Sequence, residues 1–127
     1  MAGRLGPVFA AGLADVVAPD ADLGDGLRCE PTVGHTPGHV SLWLESEGGT
    51  ALLTGDVRHH PVQCAVPSLA FISDDDAELA RDTRRRLLAV AAGTDALVFG
   101  THFATCPAGH VVRHGDAWRF EPAPGTP

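Results

Sequence analysis

Gly34-His35-Thr36-Pro37-Gly38-His39, then Thr54-Gly55-Asp56, then Gly100-Thr101-His102 are the stretches on which the reading of this chain turns. His35 and His39 stand four residues apart, a spacing that on a helix would place both imidazoles on one face. Gly34, Pro37 and Gly38 exclude a helix here, because proline lacks the backbone donor and glycine is entropically costly in a helix. The stretch is read instead as a tight loop between strands. Such a loop can aim one imidazole outward while the other turns in to bond the backbone, so two histidines need not be two ligands.

Working outward, Leu27 to Val33 alternates apolar and polar side chains. Val40 to Glu45 does so again, with Val40, Leu42 and Leu44 on one face, and both are expected as half-buried strands. Ala51-Leu52-Leu53-Thr54 is a short apolar run between glycines, as expected of a strand buried on both faces. Ala96-Leu97-Val98-Phe99 is a second such run. The first leads into Asp56 and the second into Thr101 and His102, so side chains of ligand type project from the ends of rigid strands.

Asp74 to Ala92 is predicted to be a helix, with Ser73 as N-cap, Asp76 at the capping-box position and Gly93 as terminator. Asp74, Asp75, Asp76 and Glu78 in its first turn suit the helix dipole, and Arg84, Arg85 and Arg86 read as a solvated face. Leu79, Leu87, Val90 and Ala91 are expected to pack on a sheet. A short helix over Pro7 to Val17, a loop or hairpin around Gly24-Asp25-Gly26, and a closing hairpin about His114-Gly115-Asp116 complete the expected elements. Residues 1–121 form one expected domain, and 122–127 a disordered tail.

Composition narrows the function classes. With 44% hydrophobic and 20% charged residues, the chain falls in the ordinary globular range. Formal net charge is -7, and Arg84-Arg85-Arg86 is the only cationic cluster, so nucleic acid is not an expected partner. No apolar run approaches the roughly 18 residues of a spanning helix, so no membrane partner is expected. Gly6, Pro7, Gly12 and Asp15 interrupt the only stretch resembling a secretion signal. Cys29, Cys64 and Cys106 form no Cys-x-x-Cys pair, which points to neither a disulfide framework nor a thiolate zinc site and suits a reducing cytoplasm.

Singly, a Gly-Asp pair is an ordinary turn and a histidine after a strand an ordinary polar residue. In this order, they resemble the metallo-β-lactamase-fold superfamily over about Pro7 to Glu121, most closely its lactonase, arylesterase and methyl-parathion-hydrolase-like branch. The His35-to-His39 motif is the most specific part. The stretch from Leu53 to Gln63 and the helix segment Thr83 to Leu88 are also similar to that branch. The resemblance implies an α/β layered fold, the C-terminal half of an αββα sandwich, with a mixed sheet and helices on one face. It implies two zinc ions, with His35 a ligand of the first, Asp56 bridging both and His102 a ligand of the second. His39 would support the site without touching metal. Asp56 and His60 are the implied catalytic residues, His59 and His60 flanking the pocket, and a metal-bound hydroxide would attack an ester, lactone or phosphotriester.

One departure bears on all of this. The family's upstream His-x-His-x-Asp-His motif occurs nowhere in the chain, and His110, His114 and Asp116 have the wrong spacing to replace it. Val33 also stands where proline is common in the family. His35 with Asp56, and His102 with Asp56, each leave a metal below the three protein ligands zinc ordinarily takes. Weak or partial occupancy is expected, well below one zinc per chain, and His59 or His60 is the candidate substitute ligand. An absent second layer would leave an apolar sheet face exposed, inviting a partner chain or self-association. Two functions follow: part of a zinc-dependent hydrolase acting on a small-molecule substrate once completed, or a non-catalytic remnant that binds a partner or regulates a full-length homologue.

Overall fold

The computed structural model describes residues 5–104 and 106–125, and its single seven-stranded sheet places the strands side by side in chain order. The elements are α1 (Gly6–Ala10), β1 (Asp22–Gly24), β2 (Leu27–Pro31), β3 (Val40–Ser46), β4 (Gly49–Leu53), a 3-10 turn (Gly55–Val57), α2 (Val62–Ala65), α3 (Ala77–Ala92), β5 (Leu97–Phe99), β6 (Ala108–His114) and β7 (Ala117–Pro122). All neighbouring strands pair antiparallel except β4 and β5, which are parallel because α3 forms the crossover between them. That exception positions the site. Parallel strands present their C-terminal ends at the same sheet edge, so Asp56, after β4, and His102, after β5, emerge together.

One face of the sheet packs on α3. Trp43, Leu52, Val98, Val111 and Trp118 from successive strands form the core with Leu87, Leu88 and Ala91, closed by Val57, Cys64 and Ala96. The architecture is thus the mixed α/β layer that the sequence implies, with its long helix on one face.

The other face carries the alternate side chains. Leu42 pairs with Leu53, Leu44 with Ala51, and Leu53 with Phe99. Leu44 is 36%, Leu53 39% and Phe99 36% exposed. The reading of Ala51–Thr54 as buried on both faces is therefore corrected, because a helix layer covers only the Leu52 side. In β3 the buried positions are Ser41 and Trp43, while Val40, Leu42 and Leu44 lie on the uncovered side.

Other boundaries shift for local reasons. The helix expected over Pro7 to Val17 ends at Ala10, and Gly12 takes a left-handed conformation that turns the chain out of it. The long helix starts at Ala77 rather than Asp74: the Asp76 side chain accepts from the Leu79 N–H at 2.9 Å and is the true N-cap. This start turns Ala80, Thr83, Arg84, Leu87, Leu88 and Ala91 inward, leaving Leu79 and Val90 largely exposed. Arg84 is fully buried, not part of a solvated face, whereas Arg85 is exposed and Arg86 bonds Glu30 and the Pro31 carbonyl. At the C-terminus, β7 includes Pro122, and the Ala123 N–H donates to the Ala108 carbonyl, so the expected tail begins as sheet edge; Thr126 and Pro127 lie outside the described residues. No described helix is long and apolar enough to cross a membrane.

Candidate metal centre

The loop from Thr32 to His39 is fastened to the start of α3. The Asp75 N–H donates to the His35 carbonyl at 3.1 Å, the Asp76 N–H to the Gly34 carbonyl at 3.0 Å, and Thr83 Oγ1 to the Val33 carbonyl at 2.7 Å. This contact requires Gly34. Its φ is +129°, and a Cβ there would stand 2.3 Å from the Ala80 backbone nitrogen. Starting α3 at Ala77 frees Asp74, whose fully buried side chain lies 3.1 Å from His35 Nδ1 and 3.6 Å from Arg84 Nη2 and accepts from the Phe71 N–H at 3.1 Å. With Nδ1 on the Asp74 carboxylate, His35 turns Nε2 toward Asp56 Oδ2, 3.6 Å away.

His39 is fixed by a directional chain of hydrogen bonds. Ser41 Oγ donates to the Thr54 carbonyl at 3.0 Å, so it accepts from Thr32 Oγ1, 3.0 Å away. Thr32 Oγ1, with its proton committed, accepts from His39 Nδ1 at 2.9 Å; the Thr32 carbonyl lies 3.2 Å from the same nitrogen. His39 Nε2 is left unprotonated and accepts the Asp56 N–H at 2.9 Å. Gly55, at φ +55°, leaves room for that ring: a Cβ there would lie 2.7 Å from His39 Nε2. Both nitrogens of His39 are occupied by protein, so it positions Asp56 and offers nothing to a metal.

On the far side of Asp56, His102 Nε2 meets Oδ1 at 2.6 Å. His59 stacks between Phe71, at 3.6 Å and 11°, and His102, at 4.8 Å and 12°. These residues, with His35 and Ser73, line an open pocket of about 370 Å³. Burial pushes the Asp56 carboxyl up, but the hydrogen bond and charge of His102, followed by His35 and His59, outweigh it and hold the group below its ordinary value. Burial lowers His39, against the opposing influence of Asp56 and the Thr32 carbonyl. Burial and then His102 lower His59, with Asp56 opposing. Asp56 held toward its ionised form and His59 toward its unprotonated one are the forms in which these groups ligate zinc.

The donor set fits a metal. The 3.6 Å between His35 Nε2 and Asp56 Oδ2 is too long for a hydrogen bond and close to the roughly 3.3 Å that separates two tetrahedral ligands of one zinc. The ligand atoms of Asp56, His59 and His102 lie within 4.8 Å of one another.

A profile of the metallo-β-lactamase superfamily matches residues 4–102. The chain belongs to that superfamily. An N-acyl homoserine lactonase from a Bacillus species is 34% identical to this metallo-β-lactamase-fold chain over 90 residues, covering 68% of the chain and 34% of the lactonase. The crystal structure of the hydrolase AbOPH, of the beta lactamase superfamily, superposes with TM-score 0.87 at 26% identity, covering 96% of this chain and 42% of that one. An N-acyl homoserine lactone hydrolase with N-hexanoyl-L-homoserine bound at its catalytic metal centre gives TM-score 0.62 at 28% identity, over 71% of this chain and 36% of that one. The chain thus spans less than half the length of each of these relatives.

Of the residues singled out from the sequence, this metallo-β-lactamase-fold chain brings His35, Asp56 and His102 to one pocket and sets His39 behind Asp56. His60 is not brought there: its Nδ1 accepts the Val62 N–H at 3.0 Å, ahead of α2, and it does not line the pocket. His59 does. Sequence reasoning missed Asp74, taken for a helix charge, and Arg84, taken for a surface one. It also missed Phe71, which has no local pattern to mark it. Asp76, and not Ser73, caps α3, and that shift is what sets Asp74 free of the helix.

Proposed function

We propose that this chain supplies the floor of a zinc-dependent hydrolase site, with His35, Asp56 and His102 as ligands and a lactone, ester or phosphotriester as the substrate class. One observation carries the reading: the two oxygens of Asp56 face two different imidazoles, Oδ2 toward His35 at 3.6 Å and Oδ1 toward His102 at 2.6 Å. A carboxylate so flanked is placed to bridge two ions. Zinc held there supplies Lewis acidity and a water that is nucleophilic near neutral pH.

The chain's own residues prepare that site. Asp74 fixes the His35 tautomer, His39 fixes the Asp56 backbone, and Phe71 offers an apolar wall of the pocket to the substrate. The lactonase relative and the hydrolase holding its homoserine product support a lactone as the preferred member of the class. The chain contains no His-x-His-x-Asp-His string, and each relative is more than twice as long as the part it shares. We read the uncovered apolar face as the seat of polypeptide carrying the rest of that fold and its ligands, the assembly acting in the cytoplasm, where the free cysteines remain reduced.

The test is to sequence the DNA ahead of Met1, express the longest in-frame product and assay an N-acyl homoserine lactone, an aryl ester and a phosphotriester. An upstream His-x-His-x-Asp-His segment and zinc-dependent turnover that disappears in Asp56→Ala are the expected results. A folded, zinc-loaded product that turns over none of the three overturns the proposal.

A further inference from the structure

His59 has a role that neither the superfamily match nor the ligand set proposed above assigns to it. Its Nδ1 is buried and has no hydrogen-bond partner, although the residue is otherwise firmly placed: its backbone N–H donates to Gln63 Oε1 at 2.7 Å, and its ring lies against Phe71. A buried imidazole nitrogen with nothing bonded to it is unfavourable unless something occupies the gap. Among the described residues, Asp56, His59 and His102 are the one group of three His, Cys, Asp or Glu whose ligand atoms all lie within 4.8 Å of one another. His35 stands outside that group, tied through Nδ1 to Asp74 and facing the other oxygen of Asp56.

We propose that His59 is a metal ligand, and that Asp56, His59 and His102 form a three-residue site that binds one divalent ion of the zinc type without any residue from outside this chain. Two imidazoles and a carboxylate make a ligand set found in catalytic zinc sites, with a fourth position left open. Counting His59 raises one site from two protein ligands to three, which replaces the expectation of far less than one zinc per chain. The site needs one adjustment. A ligated ion lies in the plane of each imidazole, whereas the rings of His59 and His102 are stacked at 12°, so one of them turns about its Cβ–Cγ bond when the ion enters. Turning His59 opens its stack with Phe71. The inference rests on the metal-centre reading above but not on hydrolysis, and it assigns the ion to a different trio.

The experiment is a Co(II) titration of the 127-residue chain, followed by visible absorption and by metal analysis after gel filtration. His59→Phe keeps a ring between Phe71 and His102 but has no nitrogen; His59→Gln is the second variant, and circular dichroism reports that both are folded. The wild-type chain is expected to bind one Co(II) with tetrahedral-type absorption. The His59 variants should lose affinity by more than the roughly 10–100-fold that removal of an outer partner costs. His60→Gln, outside the pocket, should bind as the wild type does. Ring-proton shifts of Phe71 or of His102 on loading, measured with diamagnetic Zn(II), report which ring has turned, independently of the count. Binding abolished in His35→Gln but unchanged in His59→Phe overturns the proposal and leaves the hydrolase reading standing. A folded wild-type chain that binds no Co(II), or binds two equivalents, also overturns it.

Discussion

His39 holds Asp56 from behind through one nitrogen while the other closes a run of buried hydroxyls back to the carbonyl of Thr54. Removing the ring leaves the Asp56 N–H without its acceptor and takes the Nδ1 donor from the Thr32 hydroxyl and carbonyl, while Thr32 Oγ1 keeps its bond to Ser41. His39→Ala is therefore expected to lower stability by about 1–3 kcal/mol, the cost of orphaned buried polar groups, read by urea unfolding. A change below about 0.5 kcal/mol, typical of a surface position, would show that the chain of bonds is not maintained in solution. Asp74→Asn tests the neighbouring arrangement. The amide keeps the carboxylate's shape but leaves buried Arg84 without its charge partner, so a loss approaching the roughly 3–5 kcal/mol of a broken buried pair is expected by the same measurement. At this scale the sequence was legible where a motif fixes the backbone, as at His35 and Asp56. It was illegible where neighbours compete. Asp74, Asp75 and Asp76 are equivalent in sequence, and only the packing of α3 decides which caps and which turns inward. His59 and His60 are separated by the path of the turn into α2, which no local pattern announces.

The elements were read best where periodicity and glycine agreed. β2, β3 and the β6–β7 hairpin follow their alternating patterns, and the short apolar runs became β4 and β5. The four-residue α2 is too short to show a helical period, and α1 was overextended because its apolar residues continue past Gly12. What the pattern could not show is that α3 carries the metal loop. Three hydrogen bonds join the segment Asp75 to Thr83 to the carbonyls of Val33, Gly34 and His35, and they exist only because Gly34 lets the backbones approach. Gly34→Ala places a Cβ inside that contact in a conformation that alanine rarely adopts. It should cost at least about 1–3 kcal/mol in thermal or urea unfolding, and it should move His35 away from Asp56. Wild-type stability in Gly34→Ala would mean that the loop rests on α3 without being held by it.

For the whole molecule, strand order followed from two rules that sequence supplies: hairpins join neighbours, and a helix between β4 and β5 makes that pair parallel. Neither rule says what covers the second face. Leu42, Leu44, Leu53, Leu97 and Phe99 lie together there, across paired strands, with Leu44, Leu53 and Phe99 all more than a third exposed. An apolar patch of this continuity is uncommon on a soluble monomer and marks a surface that is covered in use. The isolated chain should therefore bind an apolar dye such as ANS while folded, and should scatter light increasingly with concentration. Leu44→Lys with Leu53→Glu puts opposite charges at diagonal positions on β3 and β4, so they do not repel, and replaces side chains that contribute little to the core packed on α3. The double variant is expected to lose dye binding and concentration-dependent scattering while keeping its unfolding midpoint to within about 0.5 kcal/mol in stability. If the midpoint collapses instead, the face is already buried within the isolated chain. If the wild-type chain neither binds dye nor associates, the patch is too small to act as an interface, and the rest of the site must be sought at the sheet edge where Asp56 and His102 emerge.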